Sequence, residues 1–215
     1  MMIAEHAIDP GLNFSANDYV IGILLNLSPE LEYVRIAHPQ QGYILVSPKR
    51  GEYISCVLDV AEFFKAEKSV FEVTEIFDES FPVNLNMSME NLLWEATLQA
   101  SQGRLIEGLH KYDVVQFERW PNLTRVSVTP NVMRICALLT RFPSGTHLAQ
   151  AILRVKSTEI YSVCSAAKVV GIMKKINKKA QAEAEEEGSV EVVGTDAETK
   201  SGKFLGRLFA KLSGL

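Results

Sequence analysis

The sequence has few of the residues that build redox or metal sites, with three cysteines and four histidines among its 215 residues. Cys56, Cys136 and Cys164 are odd in number and widely spaced, which predicts reduced thiols and excludes a disulfide framework. No histidine has a cysteine or carboxylate partner at metal-ligand spacing. Phosphate loops of the GxxxxGKS or GxGxxG kind and the HExxH and GxSxG motifs are absent from the sequence. We therefore expect no cofactor, no metal and no enzymatic activity.

Long apolar runs are also absent from the sequence. The longest are Val20–Leu27 and Tyr161–Met173, and both fall short of the roughly 18–20 residues of a membrane-spanning helix. Residues 1–10 carry Glu5 and Asp9 and do not read as a signal peptide. Because 47% of the residues are apolar, the chain can still build a core. These observations predict a cytoplasmic protein, with peripheral attachment at the inner membrane left open by the C-terminal segment described below.

Charge is distributed unevenly, and the formal net charge of −4 conceals four blocks. Residues 1–129 hold 9 basic and 18 acidic side chains, whereas residues 130–179 hold 9 basic side chains and one acid, Glu159. Residues 180–199 have seven acids and no Lys or Arg, and residues 200–215 have four bases and no acid. Blocks of opposite charge along one chain indicate separate functional segments. The acidic block 180–199 can also shield the charge of the basic block 130–179.

The first 76 residues predict a small antiparallel sheet with two helices. Ser15 and Asp18 resemble a capping box in front of a first helix. Pro and Gly residues separate short β-branched and apolar runs, which is the pattern of an antiparallel meander. The predicted strands span residues 33–38, 43–47, 52–58 and 70–76, and a second helix spans residues 59–67.

The rest of the body is predicted to be mainly helical. Apolar residues at helical spacing from Met89 to Ala100, after the N-cap Ser88, predict an amphipathic bridging helix. Thr129 and Pro130 read as the N-cap and first turn of a helix that ends near 142, and two more helices are predicted at 146–155 and 159–170. The predicted fold class is α+β, with a small antiparallel sheet and helices, then a three-helix winged-helix-like bundle and a flexible C-terminal tail.

The run Asn84–Ala96 (NLNMSMENLLWEA) resembles a segment of the PATAN domain, a family named from the N-terminal region of the cyanobacterial regulator PatA. The matching positions are Pro82, Ser88, Glu90, Leu92, Leu93, Glu95 and Ala96. Upstream, Gly42–Val46 and Tyr53-Ile54 resemble the family's paired strands, with Arg50-Gly51 where an acidic-glycine turn is more typical. Downstream, Val128–Met173 is similar to the helical bundle that often follows. The resemblance implies a bacterial signalling and protein-interaction module.

Four segments are therefore predicted along the chain. They are a PATAN-like α/β unit with its bridging helix at 14–108, a winged-helix-like bundle at 109–179, a disordered acidic linker at 180–201 and an amphipathic C-terminal helix at 202–215.

The segment 202–215 carries the predicted partner-binding residues. In an α-helix, where successive residues are rotated by about 100°, its apolar side chains would fall in one arc with three cations beside it. The apolar positions are Phe204, Leu205, Leu208, Phe209 and Leu212, and the cations are Lys203, Arg207 and Lys211. Three occupants are open for this face: the body of the same chain, a groove in a partner protein, or an anionic membrane surface.

These features predict a non-catalytic signalling adaptor that binds a protein partner, such as a signalling or motility component, through the tethered C-terminal helix. The alternative is a winged-helix DNA-binding regulator, because Arg154, Lys156 and Lys168 would lie on or beside the helix that enters the major groove. That helix has no Arg, Asn or Gln to read base edges, and Glu159 lies where phosphates would be. Nucleic acid is therefore the less favoured partner.

Overall fold

The computed structural model describes residues 13–76, 85–125 and 129–176. Within these ranges the chain has a mixed α/β fold with an antiparallel sheet and several helices, which confirms the predicted class at that level. The predicted linker at 180–201 and the C-terminal helix at 202–215 lie outside the described residues. No helix in the described ranges is long and apolar enough to cross a membrane.

The described ranges contain ten strands and six α-helices. The strands are β1 (Asn13–Phe14), β2 (Tyr33–His38), β3 (Gly42–Ser47), β4 (Glu52–Val57), β5 (Glu72–Ile76), β6 (Met87–Ser88), β7 (Leu105–Ile106), β8 (Val114–Phe117), β9 (Ser144–Gly145) and β10 (Met173–Ile176). The helices are α1 (Val20–Leu25), α2 (Val60–Lys65), α3 (Met89–Ser101), α4 (Val132–Arg141), α5 (Thr146–Leu153) and α6 (Ser157–Val169).

A five-stranded antiparallel sheet forms the N-terminal part, in the strand order β5-β2-β3-β4-β6. The predicted meander is confirmed, and each predicted strand ends within two residues of the observed one. The β2–β3 hairpin requires a glycine at Gly42, where φ is 93° and a Cβ would lie 2.1 Å from the carbonyl oxygen of Cys56. Glycine therefore fixes the point at which the chain returns along β3.

Three helices supply the core against this sheet. Val34, Ile36 and Ile44 of the sheet are fully buried and belong to one hydrophobic cluster with side chains of α1, α2 and α3. The predicted start of α3 is confirmed, because the Ser88 Oγ accepts the backbone N–H of Asn91 at 3.3 Å.

The predicted capping box at Ser15 is wrong. Ser15 precedes a single 3-10 turn, Ala16–Asp18, and its side chain makes no cap hydrogen bond. Its Oγ instead donates to the carboxylate of Glu107 at 2.9 Å. Helix α1 begins only at Val20, after the N-cap residue Tyr19.

The C-terminal part combines α4, α5 and α6 with a three-stranded antiparallel sheet in the order β10-β8-β9. The predicted N-cap at Thr129 is wrong, because α4 begins at Val132 with Asn131 at the N-cap position. The side chain of Asn131 is engaged elsewhere, since its Nδ2 donates to both carboxylate oxygens of Glu159 at 3.1 and 3.2 Å.

One hydrophobic core runs through the predicted units 14–108 and 109–179, because α3 packs against α6. The hydroxyls of Ser101 and Ser162 are hydrogen-bonded across this contact at 2.7 Å. Nearby, the Ser165 Oγ accepts the backbone N–H of Ile106 at 2.8 Å. These buried polar contacts fix α6 on α3 and on β7, since a buried hydroxyl that lost its partner would carry a free-energy cost of about 1–3 kcal/mol.

Candidate interaction surfaces

The predicted partner-binding residues fall in the segment 202–215, outside the described residues. They are Lys203, Phe204, Leu205, Arg207, Leu208, Phe209, Lys211 and Leu212. The structure therefore describes candidate surfaces only on the body of the protein, residues 13–176.

Two of the three cysteines, Cys136 and Cys164, are buried in the core of the body, and Cys56 is exposed. In the described ranges, no three His, Cys, Asp or Glu side chains come together as they would around a metal ion. Burial raises the pKa of Cys136 and of Cys164 to about 12, so both thiols stay protonated at neutral pH and are poor nucleophiles. Burial and the nearby Glu95 carboxylate raise the pKa of Tyr53 to about 12. These groups contribute packing.

Helix α6, which the DNA-binding alternative would place in the major groove, is covered by the rest of the protein. Residues 160–167 of α6 are all buried. At its start, a Cβ added to Gly103 would lie only 2.7 Å from the Cβ of Thr158, so the end of α3 abuts the first turn of α6. In a helix-turn-helix, the N-terminal residues of the second helix contact the bases. In this fold, the corresponding turn of α6 abuts Gly103, while Thr158 itself stays exposed.

The strand β5 forms one edge of the five-stranded sheet, and within the described ranges it pairs with β2 on one side only. Four of its five residues are exposed. Val73 is 45% exposed although its partner Ile36 in β2 is fully buried, and Val70, just before the strand, is 40% exposed. Such an edge offers unpaired N–H and C=O groups to a further strand. Glu72 and Glu75 add negative charge to it.

An open depression of about 630 Å³ lies at the beginning of β5. Its lining includes Tyr19 and Phe71, the acids Asp18 and Glu67, and Lys68. The Tyr19 ring is held in place, because its Oη accepts a hydrogen bond from the Nη2 of Arg104 at 2.8 Å. The depression therefore extends the β5 edge with a fixed aromatic surface bordered by acidic groups.

A second surface, called the basic face below, consists of Arg134, Arg141, Arg154 and Lys156, all exposed. The Nη2 of Arg134 donates to the carbonyl oxygen of Leu153 at 2.8 Å, which brings the Arg134 guanidinium to the end of α5, next to Arg154. Arg134 and Arg141 are seven positions apart on α4, about two turns, and therefore lie on the same side of it. The contact between α4 and α5 thus brings Arg134 next to Arg154, with Arg141 further along α4 and Lys156 two residues beyond Arg154.

The basic face has no acidic partner among residues 13–76, 85–125 and 129–176. The cations of β10 differ in this respect: Lys175 pairs with Asp113 at 2.9 Å and Lys174 with Glu118 at 3.7 Å. Met133, beside Arg134 on α4, is 56% exposed. The basic face therefore combines uncompensated positive charge with an exposed apolar side chain.

The sequence predicts that β5 is a strand, but it does not predict that β5 lies at the edge of the sheet. The order of strands in a sheet depends on contacts between distant parts of the chain. The signal that could have indicated the edge is the presence of polar residues on both faces of the strand, with Glu72 and Thr74 alternating with Glu75. The sequence identifies Arg154 and Lys156 as cations, but the position of Arg134 beside Arg154 depends on the packing of α4 against α5.

No family model matches the chain, and no curated protein or solved structure matches it either. The resemblance of Asn84–Ala96 to the PATAN domain therefore stays a prediction, as does the signalling role that it implies.

Proposed function

We propose that the protein is a non-catalytic cytoplasmic adaptor that binds a partner protein through the β5 edge and the C-terminal segment 202–215. The observation that carries this proposal is the exposure of β5, a strand that is paired on one side only among the residues the structure describes and that presents Val73 to solvent. A partner strand that added to β5 would gain backbone hydrogen bonds and cover Val70 and Val73. The acids Glu72 and Glu75 favour a partner with cationic side chains.

The C-terminal segment would supply the second contact. Its apolar arc would contribute about 1.5–3 kcal/mol for each Leu or Phe that is fully covered. Its cations would mainly steer the segment towards an acidic surface. A tether of about 25 residues between the body and this segment allows both contacts to form on one partner, which raises avidity through effective concentration. The PATAN-like run Asn84–Ala96 supports a place for this adaptor in bacterial signalling.

In this proposal α4, α5 and α6 form a winged-helix-like unit that serves as a scaffold. Support for the likeness comes from α5 and α6, which are joined by a three-residue turn at 154–156, and from the small sheet beside them. Support for the scaffold role comes from α3, which packs against α6, and from the burial of residues 160–167 of α6.

The proposal is tested by quantitative affinity capture from the native host, with the full chain as bait. Val73→Asp alters the β5 edge and Leu208→Asp with Phe209→Asp alters the C-terminal arc. Leu58→Asp is the matched control, because Leu58 is an exposed apolar residue, 83% accessible, that follows β4 rather than β5. We expect each of the first two variants to lower recovery of the same partner by about tenfold or more, and the control to leave it unchanged.

Three results would count against this function. Full recovery with Val73→Asp would remove the β5 edge from the binding site. A loss of binding to anionic vesicles with unchanged partner recovery in the Leu208→Asp and Phe209→Asp variant would identify the segment as a membrane anchor. A salt-dependent mobility shift with random duplex DNA would favour the DNA-binding alternative, because phosphate contacts weaken steeply with added salt.

A further inference from the structure

The basic face holds two guanidinium groups next to each other without an acidic partner. The Nη2 of Arg134 donates to the carbonyl oxygen of Leu153 at 2.8 Å, so its guanidinium lies at the end of α5, where Arg154 follows. The carbonyl end of a helix carries only about half of an elementary negative charge, whereas two full positive charges meet at this point. No acidic side chain in the described part of the chain forms an ion pair with either arginine. An anionic ligand would therefore relieve a repulsion that the packing of α4 against α5 creates.

Glu159, the one acidic residue between 130 and 179, is already engaged by an amide. The Nδ2 of Asn131 donates to both of its carboxylate oxygens, at 3.1 and 3.2 Å. The Oδ1 of Asn131 in turn accepts from the Nη1 of Arg134 at 3.0 Å. The amide of Asn131 therefore stands between the acid and the guanidinium and helps to hold the guanidinium in one orientation. A side chain that is already held loses little conformational freedom when a ligand binds.

Two further cations and one apolar side chain extend the basic face. Arg141 lies two turns beyond Arg134 on the same side of α4, about 10 Å further along the helix. Lys156 lies two positions beyond Arg154, and both are exposed. Met133 precedes Arg134 and is 56% exposed. The basic face is thus longer than a single ion-binding site and has an apolar side chain at its Arg134 end.

We propose that the basic face is the docking site for an acidic segment of a partner protein, in which carboxylates flank an apolar side chain. Carboxylates fit this surface because a carboxylate and a guanidinium, both planar, can share two parallel hydrogen bonds. In an extended segment, residues three positions apart are separated by about 10 Å, which matches the distance from Arg134 to Arg141 along α4. The apolar side chain of the partner covers Met133. The acids of β5 favour a cationic partner, so the body links two partners of opposite charge.

Two other polyanions fit the basic face less well. A phosphate backbone has no apolar group that covers Met133, and the carboxylate of Glu159, one amide away from Arg134, repels a dense row of phosphates. On an anionic membrane each cation strengthens binding by about fivefold, so the four cations alone give a dissociation constant only in the millimolar range. A protein segment can cover Met133 and place its carboxylates away from Glu159.

The test measures binding of the full chain to labelled synthetic peptides by fluorescence anisotropy at about 0.05 M salt, where charge interactions are weakly screened. The probe is EELEELEELEEL. One matched control, EESEESEESEES, keeps the charge, and the other, QQLQQLQQLQQL, keeps the apolar residues. We expect the probe to bind at least about fivefold more tightly than either control, because each control lacks one of the two contributions.

Variants of the protein locate the binding site of the probe. Arg141→Gln with Arg154→Gln should weaken binding about five- to tenfold, since each exposed ion pair contributes up to about fivefold. Lys65→Gln on α2 with Lys174→Gln on β10 changes the net charge equally and should weaken binding less than about twofold. Met133→Ser should weaken binding of the probe about threefold or more and leave binding of EESEESEESEES unchanged. All five side chains are exposed, so these substitutions should leave the fold intact.

Several results would overturn the proposal. Equal weakening by the two pairs of substitutions would show that the probe responds to net charge alone. Equal affinities for the probe and EESEESEESEES would remove the apolar contact, and absence of measurable binding would remove the site. Loss of binding in the Val73→Asp variant would place the peptide on the β5 edge instead.

The same variants test the other occupants. Binding of a short random DNA duplex that is tighter than binding of the probe, and that is lost in the Arg141→Gln, Arg154→Gln variant, would make the basic face a nucleic-acid surface. Binding to phosphatidylserine vesicles that is tighter than binding of the probe, and that is lost with Met133→Ser, would make it a membrane surface. Either result would refute the acidic protein segment. The adaptor proposal is tested separately through Val73 and partner recovery, so it can stand if this docking site fails.

Discussion

Replacing Gly103 with alanine should destabilise the protein more than the same replacement at Gly171. Both glycines lie in the left-handed region, with φ of 84° and 71°. A Cβ at Gly103 would lie 2.7 Å from the Cβ of Thr158, whereas nothing lies within 4 Å of a Cβ at Gly171. The change at Gly171 therefore measures the backbone cost alone. The change at Gly103 adds a clash between the end of α3 and the start of α6.

The magnitudes follow from these two contributions. A left-handed L-residue costs about 1–2 kcal/mol, and alanine recovers about 0.4–1 kcal/mol by restricting the unfolded chain. Gly171→Ala should therefore lower the free energy of unfolding by about 1 kcal/mol. Overpacking adds about 1–3 kcal/mol at Gly103, because the position of the Thr158 Cβ is set by its backbone and cannot move by rotation of the side chain. Gly103→Ala should thus cost about 2–4 kcal/mol, or about 4–16 °C in Tm.

Urea denaturation of the full chain, followed by circular dichroism, compares the two variants. A double-mutant cycle with Thr158→Gly separates the clash from the backbone cost, because glycine at position 158 removes the Cβ that is struck. We expect a coupling free energy of about 1–3 kcal/mol in this cycle. Equal destabilisation by Gly103→Ala and Gly171→Ala, or a coupling near zero, would refute the close contact of α3 with α6 at this point.

Three further predictions concern the core. Leu92→Ala empties a fully buried site on α3 and should lower the free energy of unfolding by about 2–5 kcal/mol in urea titrations, whereas Leu25→Ala at a half-exposed site should cost about 0.5 kcal/mol or less. The pKa of Cys136 and of Cys164 rises from 9.0 to about 12 on folding, so this contribution to the free energy of unfolding is complete below about pH 9 and is lost as the pH rises towards 12. Urea titrations between about pH 8 and 11 should show this decline in stability, and a Cys164→Ala variant should show a shallower decline. A thiol reagent at about pH 8 should label the exposed Cys56 alone in the native protein, and rapid labelling of all three cysteines would contradict the burial of the other two.

Elements whose signals are local could be predicted from the sequence. Strand β2 has the predicted bounds, because Pro39 and Gly42 delimit the hairpin that follows it. Helix α3 begins after Ser88 as predicted, since the hydroxyl of Ser88 and the amide of Asn91 that it caps are three residues apart. In both cases the interacting groups lie within a few residues of each other, so a short stretch of sequence contains the whole interaction.

Elements that depend on distant partners could not be predicted in this way. The Ser15 hydroxyl donates to Glu107, 92 positions along the chain, instead of capping a helix. Asn131 starts α4 in place of Thr129, and its side chain is directed to Glu159. Periodicity identified an apolar stripe on α6, but the helix that covers it, α3, comes about 60 residues earlier. The same limit applies to the basic face, where Arg134 meets Arg154 only through the packing of α4 against α5.

The small sheet of the C-terminal part has a consequence for synthesis of the chain. Its central strand, β8, is translated before α4, α5 and α6, yet its partner β10 comes after all three. Until Ile176 has left the ribosome, a nascent chain carries β8 without its partner strand β10, so one edge of β8 is open. Open strand edges promote aggregation and recruit chaperones. Strand β10 is therefore the last element of the small sheet to be made, and its pairing closes this edge of β8.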